Sequence, residues 1–239
     1  MEVSLQLYSI KEETNKDFKK AVEQVSQIGF KGVEFAGYGG LSAEELKTLL
    51  EENNLYSVGT HTGLKIFEES FEEELKLNKT IGSKYIICPY AEVDTKEKVD
   101  HLVKILNSAA DKAAKENIKV GYHNHAHEFV KIDGKFPLDM IAENTSDNVI
   151  LELDVFWVAY AGIDPVEYIK KWGKKVELIH MKQIDAQKAN VDMGDGTIDM
   201  NEIKEASAYA KFFVLEHEEY DKPVWDSIQN DIDYLRRIV

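Results

Sequence analysis

The chain has 239 residues, 44% hydrophobic and 31% charged, a globular balance rather than that of a disordered chain. Twenty-nine basic against 44 acidic residues leave a formal charge of −15. This argues against a nucleic-acid partner, because phosphate binding draws its affinity from Lys and Arg. No window approaches eighteen uninterrupted apolar residues, so no membrane span is expected. The single cysteine, Cys88, excludes an intrachain disulfide and a multi-cysteine metal cluster, and a reducing, cytoplasmic compartment is expected.

The opening MEVSLQLYSI has no basic region or small-residue cleavage site and reads as a first strand, Val3–Tyr8, rather than a signal peptide. Asn15–Ile28 carries Phe18, Ala21, Val22, Val25 and Ile28 at helical spacing and stops at Gly29. Gly32–Phe35 is a second strand. Ser42–Glu52 is a helix whose Ser42 and Glu45 fit a capping box. Leu55–Thr60 is a third strand running into His61, Phe67–Ile81 a helix stopped by Gly82, and Lys84–Cys88 a fourth strand closed by Pro89. Thr95–Glu116 (helix), Lys119–His123 (strand), Phe136–Asn144 (helix), Val149–Val155 (strand) and Asp164–Trp172 (helix) continue the alternation. Val176–Met181 is the seventh strand, Met200–Ala208 a helix, Phe212–Glu216 the eighth strand and Trp225–Ile238 the closing helix. Eight strand–helix pairs predict parallel pairing with right-handed crossovers, hence an α/β single-domain (β/α)8 TIM barrel over residues 1–239. An open doubly wound sheet would also alternate, but no Gly-rich dinucleotide turn follows the first strand.

Chemistry in such a barrel sits at the C-terminal ends of the strands. There the sequence places Gln6 and Tyr8, Glu34, His61, His123-Asn124-His125, Glu152 and Asp154, His180 and Lys182, and Glu216. Polar loops alone account for His127, His217, Glu218 and Glu219. They account poorly for Asp154 and His180, which end apolar runs (VILELD, VELIH) where a polar group needs a partner. Alternation turns Glu152 and Asp154 to one side, with Asp154 nearer the rim and Glu152 deeper. Asp154, His180 and Glu216 converge from successive strands on a mixed O/N site suited to a divalent ion such as Mn²⁺, Mg²⁺, Co²⁺ or Zn²⁺, or on a buried ion-pair network.

Several segments together, in order, resemble the xylose isomerase-like barrels, also called sugar phosphate isomerases/epimerases. They are QLYS (6–9), IGFKGVEFAGYGG (28–40), YHNHAHEF (122–129), LELDVFWVAYAGIDPVEYIKKW (151–172), LIHMK (178–182), GDGTID (194–199) and VLEHEEYD (214–221). The resemblance implies one divalent metal held by Glu, Asp, His and Glu, of which Asp154, His180 and Glu216 match the last three. The first reads His123, within His123-Asn124-His125, so either His123 coordinates or Glu128, five residues on, supplies the carboxylate; the YHNHxxEF pattern favours Glu128. Trp157 stands where sugar epimerases and tri-zinc AP endonucleases often have His, and Gln183 replaces an Asp. With the acidic charge, this sets a DNA-repair role aside.

The activity the resemblance implies is isomerisation or epimerisation of a small carbohydrate. Polarisation of a carbonyl by a bound cation makes the neighbouring C–H acidic, and a carboxylate or imidazole moves the proton. Glu216, His123, His125 and Lys182 are the candidate catalytic residues; His61, Trp157, Glu34 and Phe129 are the candidate substrate contacts. Lys182 could equally pair with Asp154 or Glu152, and Trp157 and Phe129 could equally be packing. The loop after strand seven is rich in Asp (Asp185, Asp192, Asp195, Asp199), with Lys188 the contrary residue, which favours a non-phosphorylated substrate. A lyase, dehydratase or glycoside-cleaving step on a keto-sugar is the alternative, suggested by the His123/His125 pair. A sugar-binding barrel without catalysis is the third reading. Barrels of this family commonly self-associate, so a homo-oligomer is compatible with the resemblance.

Overall fold

The computed structural model describes residues 3–239. Its strands are β1 Val3–Gln6, β2 Gly32–Phe35, β3 Tyr56–His61, β4 Tyr85–Cys88, β5 Lys119–His123, β6 Val149–Asp154, β7 Val176–Met181, β8 Gln183–Ile184, β9 Asn190–Val191 and β10 Phe212–Leu215. All but β8 and β9 pair in parallel and close a barrel in the order β1-β2-β3-β4-β5-β6-β7-β10. The (β/α)8 architecture read from the alternation is therefore the observed one. The two-stranded ribbon β8–β9, antiparallel with Gln183 opposite Val191, decorates the loop after β7. Among the described residues, no helix is long and apolar enough to cross a membrane.

Two cores result from the period-two alternation of the strands. The larger lies between barrel and helices, where Val22, Val25, Leu46, Leu102, Leu106 and Ile228 meet the outward faces of the strands. The smaller joins Val58, Tyr85, Ile87, Ile150, Leu178 and Val214, with Tyr56 and Phe212 against it. Gly121 packs there so closely that a Cβ would lie 2.4 Å from Ile87 Cδ1. On β6, β7 and β10 the same face continues upward from Ile150, Leu178 and Val214 to Glu152 and Asp154, to His180, and to Glu216. An apolar plug thus lies beneath a polar rim.

Several boundaries differ from expectation, each for a local reason. The first strand stops at Gln6, whose side-chain Oε1 accepts from Tyr8 N–H (3.0 Å) and starts a 3-10 turn over Leu7–Ile10. The expected helix over Asn15–Ile28 is two, Lys11–Lys16 and Phe18–Ile28, because Asp17 adopts an extended backbone and caps the second. Ser70 likewise splits the expected Phe67–Ile81 helix into Leu64–Glu69 and Phe71–Ile81. The sixth strand ends at Asp154, one residue early, because the Asp154 side chain caps an unanticipated helix, Val155–Tyr160. The capping box of Ser42 and Glu45 is present, and Gly29 and Gly82 end their helices at positive φ.

Candidate active site

Strand register brings the rim residues together. Asp154 lies beside His180, and His180 beside Val214, two residues before Glu216, whose N–H bonds Met181 C=O. His123 pairs with Glu152, and Gln6 with Glu34. Registers slip by one residue between Leu151 and Glu152 and between Val33 and Glu34. Such irregularities re-aim side chains, and here each falls at a buried carboxylate.

Four potential ligand atoms, from His123, Asp154, His180 and Glu216, lie within 4.8 Å of one another, and all four residues are buried. Asp154 Oδ2 is buried without a hydrogen-bond partner, while Oδ1 caps Trp157 N–H at 3.2 Å. An orphaned carboxylate oxygen beside two imidazoles and a second carboxylate fits a divalent cation with mixed O/N preference. Glu128 is not among the four. Its Oε1 accepts from Tyr122 O–H (2.7 Å) and its Oε2 from His125 N–H (2.9 Å), and it groups with His125 and His127 instead. The turn over His127–Phe129 that follows β5 is what directs it there.

Beneath this quartet lies a second tier. Glu152 Oε2 is 2.6 Å from His61 Nε2, 3.3 Å from His123 Nδ1 and 3.3 Å from His180 Nε2. Glu34 Oε2 is 2.8 Å from His180 Nε2 and accepts from Gln6 Nε2 at 2.8 Å. His180 Nδ1 faces Glu216 Oε2 at 3.2 Å. Three imidazoles are thus interleaved with three carboxylates, and the electrostatics follow. Burial opposes charge on His61, but Glu34 and Glu152 outweigh it and raise the imidazole to about 10. His180 is also raised, against burial, by Glu152, Glu216 and Glu34. His123, lowered by burial and by the charges of His180 and His61, falls to about 4. Burial pulls His125 down to about 2 and pushes Asp154 up to about 7. Glu216 and Glu152 stay well below the usual carboxylate range despite burial, held by Lys182 with His180 and by His180 with His61 respectively.

A cavity of about 400 Å³ opens above, lined by Tyr8, Ala36, His61, Pro89, Tyr90, His123, His125, Trp157, Glu216 and Glu218. Of the expected substrate contacts, His61 and Trp157 line it. Glu34 and Phe129 do not: Glu34 is fully buried beneath the imidazoles, and Phe129 packs in the core against Phe136 and Tyr168. Both readings are corrected for the same reason. Proximity to a strand end did not reveal how deep each side chain lies. Lys182, 1% exposed, is behind the wall rather than in it. Its Nζ bonds Glu218, sits 3.4 Å from Glu216 and 3.9 Å from Asp154, and lies over the rings of Phe156 and Trp157. Glu218, which looked like ordinary loop polarity, is a wall residue, positioned by its N–H bonding Asn190 Oδ1 (2.7 Å).

Two expectations follow. Lys182→Met leaves Asp154, Glu216 and Glu218 without their buried cation, and should cost about 3–5 kcal/mol, the usual size for removing one partner of a buried ion pair. Urea unfolding of metal-free protein measures it, and a loss below 1 kcal/mol would contradict the assigned burial. The second concerns pH. A histidine raised in the folded state binds more protons there than when unfolded, between its ordinary value of 6.5 and about 10. Its stabilisation is complete below 6.5 and lost as pH climbs to 10. Metal-free protein should therefore lose thermal stability between pH 7 and 9.5. His61→Gln should flatten that slope; an unchanged slope would show that His61 is not held as an imidazolium.

Eight parallel strands with a rim of carboxylates and imidazoles define a (β/α)8 barrel with a candidate metal centre at its C-terminal mouth. The chain belongs to the xylose isomerase-like TIM barrel family, whose model matches residues 22–238. It is 25% identical over 191 residues to an inosose dehydratase from Clostridium botulinum, the match covering 70% of this chain and 63% of that protein. The matched stretch thus spans less than two thirds of that relative. A sugar phosphate isomerase/epimerase from Parabacteroides distasonis superposes with a TM-score of 0.85 at 18% identity, over 98% of this chain and 93% of that one. The IolI protein, solved with a bound zinc atom, superposes with a TM-score of 0.80 at 18% identity, over 100% and 98%. These matched proteins carry names of both isomerases/epimerases and dehydratases, and the likenesses to solved structures establish the fold.

Proposed function

We propose that this chain is a divalent-metal-dependent lyase that removes an oxygen leaving group β to the ketone of a small, non-phosphorylated carbohydrate. His123, Asp154, His180 and Glu216 hold the cation, which supplies Lewis-acid polarisation of the ketone oxygen. Glu216, on the cavity wall, takes the proton from the carbon next to the ketone. The electrons of that C–H bond form a C=C bond, and the C–O bond at the next carbon breaks. His61, protonated at neutral pH with Nε2 held by Glu152, gives the leaving oxygen its proton. His125 keeps its place on the wall as a neutral imidazole, a hydrogen-bond partner for hydroxyls. Among the described residues the cavity lining contains no Lys or Arg, and it includes Glu218, which disfavours a phosphate dianion.

The observation that carries this reading is the pairing on one cavity of a carboxylate, Glu216, with an imidazolium, His61. A base at the carbon next to the ketone and an acid at the leaving oxygen both assist elimination. The dehydratase name of the sequence relative supports it. The isomerase/epimerase reading shares the first proton abstraction and differs in returning the proton to carbon; the presence of His123, His125 and Glu216 on one cavity favours it, as does the name of the Parabacteroides neighbour. Incubation of Mn²⁺-loaded protein with keto-polyols in D₂O separates them. Loss of water or an alcohol with growth of an enone absorbance is expected. Deuterium uptake without loss of mass would replace the lyase reading by the epimerase one.

A further inference from the structure

The quartet has a feature that the ligands themselves do not explain. His180 has a carboxylate at each ring nitrogen: Glu216 Oε2 at 3.2 Å from Nδ1 and Glu34 Oε2 at 2.8 Å from Nε2. Nδ1 is the nitrogen that faces Glu216, a member of the quartet, whereas Nε2 faces Glu34 and, at 3.3 Å, Glu152 Oε2, neither of which belongs to it. Glu34, on the far side, is fully buried and does not itself line the cavity. Its orientation is set independently. Gln6 Oε1 is committed to Tyr8 N–H at 3.0 Å, so its amide N–H₂ must face Glu34 Oε2, which it reaches at 2.8 Å. Gly59 leaves the space occupied by Glu34 Oε1, which lies 3.2 Å from where a Cβ would stand.

We infer that Glu34, aimed by Gln6, is a positioning residue that accepts the Nε2–H of His180 and so commits Nδ1 as the nitrogen that gives its lone pair to the cation. An imidazole can hand either nitrogen to a metal. The choice is set by what the other nitrogen bonds, and a carboxylate there also makes the ring a stronger donor. Glu34 bonds Nε2 from a strand that carries no proposed ligand, 146 residues before His180 in the chain, so it reaches the cation through His180; its other imidazole contact is His61 Nε2, at 3.3 Å. The inference rests on the metal-site reading above, with His180 as a ligand through Nδ1.

The test uses Co²⁺ and Zn²⁺ as probes on the full chain. Co²⁺ affinity is read by its visible absorption, and the His180 tautomer by ¹⁵N NMR of Zn²⁺-loaded protein. Glu34→Ala should weaken Co²⁺ binding by about 100-fold and Glu34→Gln, which keeps an oxygen acceptor without the charge, by about 10-fold, the range for loss of a ligand's hydrogen-bond partner. In the wild type the His180 proton should reside on Nε2, and Glu34→Gln should keep it there. Circular dichroism shows whether the variants are folded. A Glu34→Ala protein that is less heat-stable yet binds Co²⁺ like the wild type, with an unchanged spectrum, would reduce Glu34 to packing and overturn the inference. If Glu34→Ala does not fold, wild-type affinity in Glu34→Gln has the same force. Wild-type Co²⁺ affinity in a folded His180→Ala variant would instead overturn the metal-site reading itself.

Discussion

Glu216→Gln should lower kcat by about 10³-fold, within the range for loss of a general base, while the barrel stays folded. The substitution is isosteric, and the backbone N–H of Glu216 keeps its bond to Met181 C=O. What changes is charge. Glu216 is held ionised well below the usual carboxylate range by Lys182 and His180, against burial, so an amide there neither takes a proton nor neutralises Lys182. Lys182 retains Glu218 and Asp154, which limits the structural cost. Steady-state kinetics with a keto-polyol substrate, together with near-ultraviolet circular dichroism, reads both quantities. Wild-type turnover in a folded Glu216→Gln protein would remove Glu216 from the chemistry.

Asp154→Asn should cost the protein its cation with less damage to the fold than Asp154→Ala. Asp154 has two jobs, one per oxygen. Oδ1 caps the helix Val155–Tyr160 through Trp157 N–H, and Oδ2 is the orphan facing the other ligands. Asn keeps a carbonyl oxygen for the cap, worth about 1 kcal/mol, but turns an N–H₂ donor or a neutral oxygen toward the cation. Affinity for Co²⁺ should fall at least about 100-fold, the upper end of what loss of a ligand's outer partner causes. Isothermal titration measures it. Thermal unfolding should show Asp154→Ala lower than Asp154→Asn in metal-free protein. Equal Co²⁺ affinity in wild type and Asp154→Asn would place the cation elsewhere or nowhere.

The barrel itself was legible in the sequence because its determinants are local. Apolar runs of four to six residues alternate with amphipathic helices, and Gly29 and Gly82 punctuate them at positive φ, where a side chain is strained. The convergence of Asp154, His180 and Glu216 follows from the same source: each lies within a residue of the end of an apolar strand, and parallel register aligns strand ends around one mouth. Glu152 as a deeper carboxylate follows from alternation alone. The depth of Glu34 and the direction of side chains across the barrel were not legible. Whether His123 or Glu128 joins the quartet depends on a tight turn over His127–Phe129 and on the Tyr122 hydroxyl that receives the Glu128 carboxylate. Glu34 resembled a rim residue, yet a register slip beside it and the space left by Gly59 bury it under His180. His61 became an imidazolium only through Glu34 and Glu152, 27 and 91 residues away in the chain. A strand's pattern sets which face a side chain takes, since that is decided by its nearest neighbours in sequence. Which charge it finally meets is decided by closure of the barrel, and no segment carries that information by itself.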